Sequence, residues 1–289
     1  MNRRDFMLSS AALLAGAGLS PAFANVPTPY GFDLNPPMDG RANYIAWMQK
    51  NRGEDPKFLG LHWDRYLTLV DNKDLWEARS KRAFLMTPRE EFVTKPNLAD
   101  AYVGHYLDIG FGVSITGPLT VARMTSSLDV QLGEKVLEIG NGSGYQSAYL
   151  ANLTDRVWTI EIIKALYERT GALYENLIGR GYSEYRAITT KNDDGYYGWE
   201  SAAPFDKIIV TCGIDHVPPP LLQQLRPNGI MVIPVGPPGA QHILRIVKKQ
   251  AEDGTIGVTR SDIYNGQIQS FVPFTKLDNG KITGTHNSN

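Results

Sequence analysis

Three glycines, Gly140, Gly142 and Gly144, stand between an apolar run, VLEI, and a helix-like run, YQSAYLANL. Glycine at such a junction lets the backbone turn sharply and lets a ligand come close to the peptide groups. A second apolar run ends in Glu161, twenty-one residues beyond Gly140. A carboxylate at that spacing can accept both ribose hydroxyls of a nucleoside. The dinucleotide fingerprint needs its third glycine where this chain has Tyr145. G-x-G-x-G after Glu138 therefore suits a ligand without a pyrophosphate, such as S-adenosylmethionine. The expected cofactor set is Glu138, Gly140, Asn141, Gly142, Ser143, Gly144 and Glu161. Asp194 and Gly195 of a later loop, NDDGYYGW, join it, since a carboxylate there can take the adenine amino group.

Just upstream, GFGVSITGPLTVARM places two hydroxyls, Ser114 and Thr116, on a glycine-flanked loop. That loop also has the composition of a turn that caps the helix LTVARM, and the two roles are compatible. Cys212, at the end of a later apolar run, reads as a small core residue rather than a nucleophile, and His216 as a surface residue near the site. The five histidines show no metal-binding spacing, and a single cysteine excludes an intrachain disulfide.

Positioning these residues requires a sheet. From Lys135 the chain alternates KVLEIG, RVWTIE, YRAITT, FDKIIVTC and GIMVIPVG with helical runs such as KALYERTGALYENLIGRG and the short PPLLQQLR. Strand and helix alternating over short connections predict a mostly parallel, doubly wound sheet, an α/β fold. HILRIVKKQ, IGVTRSDIY and QSFVPFT have no helices between them and are expected as antiparallel edge strands. From Ala42 to about Glu91 the apolar spacing is helical, with Trp47, Trp63 and Trp76 as expected packing anchors. The polar tail after about Leu277 is expected to be loose. The expected division is 1–24, 25–82, 83–277 and 278–289.

A net charge of −1 across 289 residues gives no basic excess for nucleic acid. No internal stretch has the apolar length of a membrane span. The expected state is a monomer.

In combination, PREEFV (Pro88–Val93), IGFGVSITGP, VLEIGNGSGYQ, TIE, DGYYGW, PFDKIIVT, LLQQLRPNGIMVIPVG and SFVPF resemble the protein-L-isoaspartate O-methyltransferase family, in that family's order, over roughly 83–275. The resemblance implies a Rossmann-like methyltransferase fold with an N-terminal helical extension. It also implies S-adenosyl-L-methionine as cofactor and methyl transfer to the α-carboxylate of isoaspartyl residues in damaged proteins and peptides. Thr116 stands at the family's active-site serine and Ser114 at a threonine, so the resemblance makes them the catalytic pair, with the loop as acceptor clamp. Val113 and Gly117 replace two glutamines, Gly104 an aspartate, and Tyr106 and Asp108 two prolines. The cofactor side follows the family pattern and the acceptor side departs from it. Two other readings share the fold: a methyltransferase for a different carboxylate or small molecule, and an exported binding protein without catalysis.

The N-terminus, MNRRDFMLSSAALLAGAGLSPAFA, has Arg3-Arg4, an apolar stretch and a small-residue A-x-A end at Ala24. That order resembles a twin-arginine export signal, which implies a periplasmic protein, with a cytoplasmic one as the alternative.

Overall fold

The computed structural model describes residues 32–251, 254–278 and 281–284. The proposed signal segment, 1–24, lies outside them.

Three helices come first: α1 (Arg41–Arg52), α2 (Pro56–Asp71) and α3 (Ala78–Leu85). Their ends follow local chemistry. Gly53 closes α1 in the left-handed region, and the Asp55 carboxylate accepts the Lys57 N–H at 2.8 Å ahead of Pro56 to open α2. The Arg52–Glu184 ion pair, 2.8 Å and buried at both partners, ties α1 to the 3-10 turn Ser183–Ala187. The sequence division at residue 82 falls inside α3, which runs across it.

A hairpin follows, β1 (Leu107–Gly110) and β2 (Val113–Ile115), then α4 (Pro118–Leu128). Next come β3 (Val136–Ile139), α5 (Tyr145–Ala151), β4 (Val157–Glu161), α6 (Lys164–Gly179), β5 (Ile188–Asn192), β6 (Phe205–Val210), α7 (Pro219–Gln224), β7 (Leu225–Val235), β8 (His242–Gln250) and β9 (Ile256–Asp262). They build one sheet of order β5-β4-β3-β6-β7-β8-β9, parallel through β7, with β8 and β9 antiparallel at the edge. The α/β expectation holds.

Alternation along each strand feeds two cores. Val136 and Val157 face the layer of α1–α6, whereas Leu137, Ile139 and Ile160 face α7 and the turn containing Tyr196. Each fully buried Leu, Ile or Phe contributes about 1.5–3 kcal/mol. The N-terminal helices share the first core: Tyr44, Met48, Leu59 and Trp63 cluster with Leu150 and Val157. Trp63 is buried and Trp47 half-buried, but Trp76 is 44% exposed, because it sits in the loop before α3 rather than on a helix face.

Three sequence expectations change. QSFVPFT is not a strand but an extended strap that touches the sheet through isolated bridges, Gln241↔Gln269 and Gly213↔Pro273. Proline lacks the N–H that a continued ladder needs. YRAITT begins in a 3-10 turn, and its strand starts only at Ile188. The tail, expected loose, carries the hairpin β10 (Thr275–Asp278) and β11 (Lys281–Gly284), anchored by the Leu277 N–H on Asp194 Oδ2 at 2.9 Å.

Candidate active site

The strand order reverses between β3 and β6, and at their carboxyl ends the sheet opens into a cavity of about 1410 Å³. Switch points of this kind are where doubly wound sheets bind ligands.

One wall is the glycine turn. Gly140, Gly142 and Gly144 all have positive φ, at +94°, +56° and +90°. Side chains are excluded as well as disfavoured: a Cβ on Gly140 would lie 2.5 Å from Thr211 Oγ1, and one on Gly144 2.6 Å from the Tyr174 hydroxyl. The turn is held from α6 by Thr170 Oγ1 donating to Gly142 O and the Tyr174 hydroxyl donating to Asn141 Oδ1, both at 2.8 Å.

Glu161, at the tip of β4, accepts the Gly142 N–H at 2.8 Å and the Ile163 N–H at 2.9 Å. Each carboxylate oxygen has one backbone donor fixing it and further lone pairs to offer a ligand. Burial raises its carboxyl above the usual range, and those amides oppose the rise. Glu138 lies deeper. Ser147 and Thr159 donate to its Oε2, while Oε1 is buried without a partner. Burial pushes its carboxyl up to about 8.

The structure brings Glu138, Gly140, Asn141, Gly142, Ser143, Gly195 and Glu161 to the cavity wall, and Gly144 caps α5 directly beneath it. Asp194 is not brought there. Its Oδ1 accepts the Tyr196 N–H at 2.9 Å and its Oδ2 the Leu277 N–H, so the carboxylate caps a 3-10 turn and ties down β10. Cys212 lines the cavity half-buried, its thiol pushed far up by burial. A thiol held neutral is a poor nucleophile. His216 is exposed, bonded to Asp215 at 2.5 Å and to the Tyr196 hydroxyl at 2.9 Å, away from the wall.

The opposite wall is the hairpin and its exit. Expected as a loop, GFGVSI forms the tip and second strand of the β1–β2 hairpin, with Gly110, Phe111 and Gly112 all at positive φ. Ser114 lies on β2, Thr116 follows it, and both line the cavity. Neither hydroxyl caps α4, whose N-cap is Gly117. The capping role therefore falls away, and the hydroxyls belong to the cavity.

Arg89, inside PREEFV, escaped the reading of single residues. It is fully buried; Nε donates to Ala101 O at 2.7 Å and Nη2 to Thr116 O at 2.8 Å, and the guanidinium lies 4.8 Å from the Tyr145 ring centroid. The strap supplies the third wall, from Gln269 to Thr275, fixed by the Gly213 N–H on Val272 O at 2.9 Å and the Phe274 N–H on Gly213 O at 2.8 Å.

The family model described as protein-L-isoaspartate(D-aspartate) O-methyltransferase matches residues 68–278. Among curated proteins, protein-L-isoaspartate O-methyltransferase 1 of Nitrosospira multiformis is 49% identical over 54% of this chain, and the match spans 63% of that relative's length, under two thirds. The protein-L-isoaspartate O-methyltransferase of Anaeromyxobacter dehalogenans strain 2CP-1 is 41% identical over 70% of this chain and 91% of its own. Among solved structures, a Plasmodium falciparum protein assigned to the same activity, in complex with S-adenosyl-L-homocysteine, superposes with TM-score 0.62 at 20% identity, covering 75% of this chain and 99% of its own. The fold, the glycine turn and these matches agree: the chain belongs to the protein-L-isoaspartate(D-aspartate) O-methyltransferase family.

Proposed function

We propose that the protein transfers a methyl group from S-adenosyl-L-methionine to the α-carboxylate of L-isoaspartyl residues in damaged proteins and peptides. The observation that carries this reading is the single cavity shared by the glycine turn with Glu161 on one side and Ser114 with Thr116 on the other. Small-molecule sites are commonly about 300–1,000 Å³, so 1410 Å³ has room for a cofactor and an acceptor side chain together.

The residues fit this cofactor. Glu138 Oε1 and Asn141 Nδ2 are buried without partners beside the turn, a donor and acceptor pair for a polar ligand. Among the described residues lining the cavity there is no lysine or arginine to repel a cationic ligand, and Asp108 and Glu161 face it. Gly140, Gly142 and Ser143 would hold the amino-acid part and Glu161 the ribose. When bound, the cofactor supplies an electrophilic methyl group on its sulfonium.

The chain's own work is placement. An acceptor carboxylate is ionised at neutral pH, so no residue has to remove a proton to make the nucleophile. Ser114 and Thr116 offer hydroxyl donors that orient that carboxylate, each bond contributing about 1.5–3 kcal/mol to a charged partner. Thr116 adds a methyl to the hydroxyl, which stiffens its χ1. The strap and hairpin wall the reacting atoms from water.

Purified protein with methyl-labelled S-adenosyl-L-methionine is expected to put base-labile methyl ester on an isoaspartyl peptide and none on the matched aspartyl peptide. Label on neither peptide would move the acceptor elsewhere, and label on both would remove the isoaspartyl preference.

We also propose export by the N-terminal segment, supported by Arg3-Arg4, the apolar stretch after them and Ala24. The protein isolated from a periplasmic extract is then expected to begin at Asn25; an intact N-terminus found only in the cytoplasm would reject this.

A further inference from the structure

An anionic acceptor enters a cavity with little positive charge. Asp108 and Glu161 are on its wall, and His105 is the one side chain among the described lining residues that can become cationic. His105 is exposed, with Nδ1 2.8 Å from Tyr106 O. A carbonyl only accepts, so Nδ1 carries a proton and Nε2 is the nitrogen that gains or loses one.

The backbone seats this ring next to the clamp. A Cβ on Gly117 would lie 2.6 Å from Gly104 O and 3.2 Å from the His105 carbonyl carbon. Residues 104 and 105 therefore lie directly on the turn that follows Thr116, an approach that only a glycine at 117 permits. Gly104 and Gly117 are both positions where the chain departs from the family pattern, and here they touch. The glycine at 117 is what lets the backbone at residues 104 and 105 come down onto the acceptor side.

We propose that His105 is a specificity-determining contact of the acceptor: protonated, it donates from Nε2 to a carboxylate of the bound peptide. The identity of the peptide rests on the methyl-transfer reading above. The charged groups nearby in the fold are Asp108 of β1 on the same cavity wall, Arg65 of α2 beside Gly104, and Arg89 behind Thr116. Arg65 Nη1 lies 3.6 Å from the Gly104 Cβ position. Histidine changes charge between about pH 5 and 8, so acceptor affinity falls as pH rises across that interval.

The test is calorimetry of a capped, histidine-free isoaspartyl peptide binding to the protein loaded with S-adenosyl-L-homocysteine. Wild type, His105→Gln and His105→Lys are compared near pH 6 and pH 8. Losing one charged hydrogen bond worth about 1.4 kcal/mol is a tenfold change. Wild type is expected to bind about tenfold more weakly at the higher pH, by that arithmetic. His105→Gln should bind weakly at both values and His105→Lys tightly at both, with S-adenosyl-L-homocysteine affinity equal in all three. A His105→Gln protein with wild-type affinity, or with the wild-type pH dependence, overturns the assignment. Peptide that binds wild type in this pattern without being methylated removes the methyl-transfer reading and leaves His105 in place. Methylation left intact in a His105→Gln protein of unchanged affinity removes His105 alone. No peptide binding by wild type removes the assignment as well.

Discussion

Gly144→Ala is expected to abolish measurable binding of S-adenosyl-L-methionine and to destabilise the fold by about 2–5 kcal/mol. The two contributions are separate. Gly144 has φ +90°, a conformation that costs an L-residue about 1–2 kcal/mol. Its Cβ would also lie 2.6 Å from the Tyr174 hydroxyl and 2.7 Å from Thr170 Cγ2, and overpacking of this kind costs about 1–3 kcal/mol. Relief would require α6 to move away from the turn, and α6 holds Asn141 and Gly142 through those same two residues. The damage therefore passes straight to the ligand wall. Gly171→Ala is the control: it sits in α6 with nothing within 4 Å of its Cβ position. An added methyl in a helix interior there is expected to stabilise by up to about 1 kcal/mol. Urea unfolding and cofactor calorimetry on both variants check the pair; a Gly144→Ala protein that binds like wild type would mean that the turn is not the cofactor wall.

Arg89→Met is expected to lower kcat/KM for the acceptor by about 100-fold, the loss that follows a misplacement of about 1 Å at a reacting group. Burial holds the Arg89 guanidinium down to about 10, still charged at neutral pH. It spans two segments of the acceptor wall, at Ala101 O and Thr116 O. Methionine fills much of the volume but leaves both carbonyls without that donor, at about 1–3 kcal/mol for each one left unsatisfied. Loss of the buried charge offsets part of this, so stability falls less than activity. Cofactor affinity should keep its wild-type value, because no bond of Arg89 reaches the glycine turn itself. Steady-state kinetics with isoaspartyl peptide, alongside cofactor calorimetry, tests the split. Equal losses on both sides would make Arg89 a general support of the core.

The cofactor half of the site was legible in the sequence because its determinants are local. Glycines at fixed offsets after β3, and an acid at the end of β4, are set by the turn that they make and by strand length. The acceptor half was less so. The tip residues Gly110, Phe111 and Gly112 turn a stretch that reads as loop into a hairpin, since Phe111 adopts a conformation normally left to glycine. Asp194 has a second partner, the Leu277 N–H, 83 residues away, and no local pattern announces it. Arg89 lies in a motif but looks like a surface charge; only the fold shows that it is buried and joins the Ala101 and Thr116 carbonyls. For β10 and β11 a signal was present: Asp278-Asn279-Gly280 is a hairpin turn sequence.

The strap from Gln269 to Thr275 follows all seven strands of the main sheet in the chain, yet it walls the cavity. Synthesis is directional, at about 5–20 residues per second in cells. Every strand of the sheet therefore leaves the ribosome before the wall that completes the ligand chamber. A chain cut short just after β9 would hold the scaffold and both hydroxyls but not the chamber. The chamber is thus complete only once synthesis has passed Thr275.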